Sequence, residues 1–136
     1  MVRPIVRDFV FLSIPSQPAT LADLPIMQDL MDTLSFHKAE CVGMAANMIG
    51  ESKRIIVFYE GNVMMGMLNP RIVMKQVPYE TEEGCLSLDG VRKTIRYQKI
   101  RVEYEGKNLQ KKTRTFTGYA AQVVQHEIDH CDGILI

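Results

Sequence analysis

An α+β fold with an antiparallel sheet is predicted for this 136-residue chain. Three observations carry the prediction. Apolar residues recur at helical spacing in two places, near the two ends of the sequence. The stretch between them holds several short runs that read as strands. Glycine, asparagine and proline punctuate those runs where hairpins would turn. The length suits a single domain over residues 1–136, with a core that buries roughly two thirds of the unfolded chain's surface.

The elements follow in order. The first twenty residues are broken by Pro4, Pro15 and Pro18. In TLADLPIMQDLMDTLSFHK, residues Leu24, Met27, Leu30, Met31 and Leu34 share one helix face, with Thr20 and Asp23 as a capping pair and Pro25 delaying the first turn. RIIVFYEGNVMMGMLNP reads as two strands joined at Glu60, Gly61 and Asn62, the second ended by Asn69 and Pro70. RIVMKQVPYETEEGCLSLDGVRKTIRY is expected to mix strand and turn around Pro78, Gly84 and Gly90. KIRVEYEGKNLQKKTRTFTG is a clearer hairpin, because Ile100, Val102 and Tyr104 alternate and Gly106 to Asn108 supply the turn. Thr117 and Gly118 then introduce a second helix from Tyr119 to His130, with Ala120, Val124 and Ile128 facing inward.

Composition narrows the function classes. Hydrophobic residues make up 46% and charged residues 24%, which is ordinary globular usage. Sixteen Lys and Arg balance sixteen Asp and Glu, so no net field recruits nucleic acid or anionic lipid. The basic cluster KNLQKKTR is read as a solvated hairpin surface. No apolar run approaches the roughly 18–20 residues that span a bilayer, so no membrane partner is expected. Asp8 interrupts the short apolar start, which argues against a secretory leader. Three cysteines, an odd number, suit a reducing cytoplasm better than a disulfide framework. Nothing in the sequence specifies an oligomeric state.

The sequence closes with QHEIDHCDGILI, in which His126 and His130 stand four apart and Glu127 lies beside the first. That spacing puts both imidazoles on one helix face with the glutamate about a quarter turn round, the HExxH arrangement that binds zinc and activates water. Taken alone, it also fits two satisfied surface histidines. A catalytic divalent site takes a third protein ligand and leaves a position for water. His37, Cys41, Cys85 and Cys131 are the candidates. Cys131 directly follows His130 and points about 100° away on a continuing helix. His37 and Cys41 lie near the end of the first helix, where a surface imidazole and a small buried residue are the plain readings. Cys85 is read as the third ligand, because in EEGCLSL Gly84 permits a tight backbone and Glu83 supplies a nearby carboxylate.

Three segments in order, CVGMAANMIG (Cys41 to Gly50), EGCLSL (Glu83 to Leu88) and HEIDH (His126 to His130), resemble the signature motifs of the peptide deformylases. MLNPRIV and RKTIRYQKIRV extend the likeness over most of the chain. The resemblance implies a deformylase-like fold, with antiparallel strands around a central metal-binding helix. It implies metal-dependent hydrolysis of the N-formyl group from the N-terminal methionine of newly made polypeptides, releasing formate. Residue by residue, it implies Cys85, His126 and His130 as metal ligands, with Fe2+ as the native metal and Zn2+ or another divalent ion as a substitute. Glu127 would take a proton from the attacking water and return it to the leaving amine. The oxyanion would be held by the metal, by the backbone N–H of Leu86 and by a glutamine of the first motif. Val42, Gly43 and Met44 match a strand-like edge that takes the substrate peptide by added strand hydrogen bonds, and Arg92 matches an arginine near the substrate entrance. Glu83 and Asp129 are expected to fix ligands or loops, with Glu83 paired to Arg96. The implied partner is a formyl-methionyl peptide in the cytoplasm.

This chain departs from the family pattern GxGxAAxQ. Cys41 replaces the first glycine and Met48 the glutamine, and a thioether donates no hydrogen bond. Asn47 offers an amide one residue earlier, aimed elsewhere if the stretch forms a tight turn. Asp89 replaces a usual proline. The residues after His130 number six, so contacts made by the longer tails of other members are not expected of them. Two further readings accompany the enzyme: a deformylase-like metal- and peptide-binding protein with little turnover, and a hydrolase of another small acyl amide.

Overall fold

The computed structural model describes residues 1–136. Five strands lie in chain order across one antiparallel sheet: β1 (Gly43–Ala45), β2 (Ile55–Glu60), β3 (Val63–Cys85), β4 (Leu88–Glu105) and β5 (Lys111–Thr117). Three helices accompany it: α1 (Phe9–Leu12), α2 (Leu24–Phe36) and α3 (Gly118–Cys131). This is the α+β architecture expected. The short α1, N-capped by Asp8 through the Val10 N–H at 2.9 Å, is too brief to leave a periodic signal in the sequence.

The run Ile55-Ile56-Val57-Phe58 is continuously apolar because β2 is covered on both faces. Strand alternation sends Ile56 and Phe58 toward α3, into a core with Ile100, Val102, Phe116, Val124 and Ile128. Ile55 and Val57 point the other way, into a second core with Met27, Leu30 and Leu34 of α2. Of the expected stripe of α2, Met27, Leu30 and Leu34 are buried while Leu24 and Met31 are half-buried against the same core, and the Thr20–Asp23 pair is present, with the Asp23 carboxylate accepting the Thr20 N–H at 2.8 Å. Along α3, Val124 and Ile128 are buried as expected, whereas Ala120 is half-buried and Ala121 takes the inward place. Gln125 stitches α3 to β4: its amide accepts from the Tyr97 N–H and donates to the Tyr97 carbonyl, both at 2.9 Å.

Two strand boundaries need correction. Asn69 and Pro70 do not end β3. Proline lacks an N–H and Asn69 adopts a positive φ of 52°, so the pairing slips between Leu68 and Arg71 as a bulge, and the strand continues. The Asn69 amide fills the gap by bonding both the N–H and the carbonyl of Ala19, at 2.7 and 3.0 Å. The segment read as mixed strand and turn, residues 71–97, is a long hairpin of β3 and β4, irregular only where the register shifts between Ile72 and Met74 and between Gly84 and Cys85, and at Val77, whose φ is 63°. Its register is kept across Pro78, and its tip turns at Leu86 and Ser87. The tip delivers Cys85 to α3.

Candidate metal centre

His126 and His130 are one turn apart on α3, so both imidazoles leave the same face, and both are buried. Their Nε2 atoms are 3.1 Å apart. Cys85, the last residue of β3, brings its Sγ to 3.5 Å from Nε2 of His130. The three donor atoms lie within 4.8 Å of one another. A tetrahedral cation with bonds of about 2.3 Å to sulfur and 2.0–2.1 Å to nitrogen separates its donors by roughly 3.3 Å (N to N) and 3.6 Å (S to N). The two spacings to His130 Nε2, 3.1 and 3.5 Å, match those values, and the three donors together lie close enough to share one divalent metal.

Glu83 sits two residues before Cys85 and therefore on the same face of β3. Its Oε1 faces Nδ1 of His126 at 2.8 Å, which fixes the tautomer that leaves Nε2 for a metal. Arg96 grips the same carboxylate through Nε and Nη2 at 2.7 to 3.1 Å, and its Nη1 reaches Asp129 at 2.6 Å. The expected Glu83–Arg96 pair is therefore present, with Asp129 on its far side. Gln122 was not anticipated: its Nε2 donates to Glu83 Oε2 at 2.9 Å. It precedes His126 by four residues, the same one-turn spacing that links the histidines, and that spacing is the signal that could have found it.

Burial alone would raise the Glu83 carboxyl, but the bonds from His126, Arg96 and Gln122 outweigh it and hold the group at about 2. Because its folded value is depressed, this carboxylate contributes stability that is fully present above the ordinary value of about 4.5 and is lost as pH falls toward 2. Metal-free protein followed by circular dichroism is expected to lose structure over that window. Glu83→Gln is expected to be less stable at pH 7, with Arg96 left buried, and flatter in its acid dependence. Equal acid slopes for the two proteins would contradict this. The two histidines titrate oppositely. His126, though burial opposes it, is raised by Cys85 and Glu83, while His130 is lowered by burial and by the charge on His126.

Glu127 is 4% exposed, and its Oε1 has no partner within the protein. Burial raises its carboxyl to about 7. It lines a cavity of about 430 Å³, together with Cys41, Val42, Gly43, Met48, Cys85, Leu86, Gln122 and His126. Gly43 is required there: a Cβ at that position would stand 2.9 Å from Glu127 Oε2 and 2.9 Å from Val123 Cγ1. Gly43→Ala is expected to push the carboxylate aside and lower kcat by about 10²-fold, the scale of a 1 Å misplacement. Steady-state kinetics on metal-loaded protein would check this, and an unchanged kcat would show that Glu127 tolerates the displacement. A larger, mostly polar cavity of about 770 Å³ lies between β3 to β5 and the end of α3, and includes none of the three ligand candidates.

The remaining expected residues divide. Val42, Gly43, Leu86 and Met48 line the cavity. Met44 does not: it is 0% exposed, because alternation along β1 turns it away from the α3 side and into the core under α2. Arg92 is also outside the cavity. The carboxylate it faces across the ladder, Glu83, is already filled, and Arg92 donates to the Asp89 carbonyl at 3.3 Å. Asp89, in the place of the usual proline, pairs with Arg7, which also donates to the Leu86 carbonyl at 3.0 Å. Cys131 is buried in the core, and Cys41 lines the cavity with its thiol pushed up to about 12 by burial. Met48 is 1% exposed, and its sulfur takes the Ala45 N–H at 3.5 Å.

The polypeptide deformylase family model matches residues 11–136. The chain belongs to that family. It is 52% identical over 136 residues to the peptide deformylase of Clostridium beijerinckii, covering the whole of both chains. It is 38% identical over 124 residues to peptide deformylase 2 of Clostridium acetobutylicum, covering 88% of this chain and 82% of that one. Among solved structures, the peptide deformylase of Legionella pneumophila superposes with a TM-score of 0.88 at 31% identity, over 99% of this chain and 83% of that one. A class I type b peptide deformylase of Acinetobacter baumannii with Met-Ala-Ser bound gives 0.89 at 25% identity, over 99% and 97%. Membership makes the chain a metal-dependent hydrolase that removes the N-formyl group from nascent peptides. No helix is long and apolar enough to cross a membrane.

Proposed function

We propose that Cys85, His126 and His130 hold the catalytic metal, that Glu127 carries the proton, and that formyl-methionyl peptides bind along the β1 edge. The observation that carries this reading is the convergence of one thiol and two imidazoles, all within 4.8 Å of one another, beside a cavity that Glu127 lines. A thiolate with two imidazoles suits Fe2+ or Zn2+, and we assign Fe2+ as the native ion. When bound, the metal supplies a Lewis acid that acidifies water and polarises the formyl oxygen.

The protein's own groups do the rest. Glu127, buried and short of partners, accepts a proton from the attacking water through an oxygen facing the cavity, then returns it to the departing amine. Leu86, fixed at the hairpin tip by Arg7, offers its N–H to the oxyanion. β1 pairs only with β2 and leaves its other edge for an added strand, which supports a peptide running past Val42 and Gly43. The Acinetobacter relative holds Met-Ala-Ser, a peptide that begins with methionine. We place the reaction in the cytoplasm, where three free thiols stay reduced, with residues 1–136 acting as one domain.

Release of the free methionyl amine, with formate from a formyl-methionyl peptide or acetate from the acetylated control, by anaerobically Fe2+-loaded protein tests this reading. Release from the formyl peptide alone is expected. Equal release from both would favour a broader acyl-amide hydrolase.

A further inference from the structure

Asn47 is not part of the constellation described so far, yet it touches it. It lies in the 3-10 turn Ala46–Ile49 that follows β1, is 1% exposed, and its Nδ2 donates to the His130 carbonyl at 2.9 Å. The same nitrogen has a longer contact, 3.5 Å, with the Leu12 carbonyl. We propose that Asn47 is a positioning residue for the metal centre, tethering the backbone of His130 so that its imidazole is held at the donor spacing seen here. The proposal rests on the reading of Cys85, His126 and His130 as ligands.

Three observations carry it. The two histidines are held differently. His126 is gripped through its ring by Glu83, whereas Nδ1 of His130 is buried without any partner, so the orientation of His130 comes from its backbone and packing. His130 also sits in the last turn of α3, which ends at Cys131; carbonyls there have no partner further along the helix and the turn frays unless something outside holds it. Gly133 N–H supplies one bond to the His130 carbonyl at 3.1 Å, and Asn47 supplies the second from a segment 83 positions away in sequence. Third, the amide is poor value as core packing. Its Oδ1 is buried and unpartnered, which lowers stability, so an apolar residue of the same shape would serve stability as well or better. What leucine could not supply is the donor to His130.

The turn that carries Asn47 also carries Met48 into the substrate cavity. The tether therefore registers the cavity floor against the helix that bears both histidines.

The test is an anaerobic Co2+ titration of the full chain, read by the thiolate-to-cobalt charge-transfer band and the visible d–d bands, alongside thermal melting of the metal-free protein. Asn47→Leu removes donor and acceptor; Asn47→Asp keeps the shape but puts a carboxylate oxygen, charged when ionised, in place of the donor. Both are expected to weaken Co2+ binding by about 10–100-fold and to shift the d–d bands, with the leucine variant melting no lower than the unaltered protein. If the leucine variant does not fold, the aspartate variant decides. Folded variants that bind Co2+ with unaltered affinity and spectrum would overturn the proposal. If the unaltered protein and His130→Ala bind Co2+ alike, the ligand assignment itself fails, which is a separate result.

Discussion

Glu127→Gln is expected to lower kcat for a formyl-methionyl peptide by about 10²–10⁴-fold while leaving metal content unchanged. The amide is isosteric, so the fit against Gly43 survives, but it cannot accept the proton that the attacking water must lose. The environment makes the role specific. Burial raises the carboxyl to about 7, opposed by the charge on His126, and one oxygen has no partner to compete for the proton. Because the raised group is a usable base only when ionised, kcat/KM should fall as pH drops through its value, and a cation bound nearby pulls that value down. Metal analysis beside steady-state kinetics checks the prediction. A variant that keeps both its metal and its rate would remove Glu127 from the chemistry.

Met48→Gln is expected to act in the opposite direction and raise kcat by about 10²–10³-fold, the scale on which one oxyanion donor acts. The thioether lines the cavity but donates nothing; its sulfur instead accepts the Ala45 N–H at 3.5 Å. No neighbouring amide substitutes for it. Asn47 is committed to the His130 carbonyl and Gln122 to Glu83. On the proposed assignment, the site has the ligands and the base of a deformylase but one oxyanion donor fewer than the family pattern supplies. KM should change little if the glutamine acts only as charge develops on oxygen. An unaltered rate would mean that this side chain does not face the oxyanion.

What the sequence made legible follows from what each residue type does. A cysteine behind a glycine and two histidines one helical turn apart are rare enough, and chemically narrow enough, to be read without coordinates. Glu83 and Arg96 were legible through the family resemblance, because Arg96 falls near an arginine of the family pattern. Gln122 was overlooked because an amide on a helix is usually solvated, and only its closeness to Glu83 gives it a role. Met44, read as part of the substrate edge, has its side chain in the core under α2, a placement implicit in the neighbouring Gly43 facing Glu127. Asn69 and Pro70 looked like a stop because local propensity does not include the Ala19 backbone, fifty residues earlier, that lets the strand bend and go on.

X-ray absorption at the metal edge of Fe2+- or Zn2+-loaded protein tests the centre most directly. One sulfur at about 2.3 Å and two imidazole nitrogens at about 2.0–2.1 Å are expected, with the sulfur lost in Cys85→Ser. A shell of nitrogen and oxygen alone, identical in the unaltered protein and in Cys85→Ser, would contradict it.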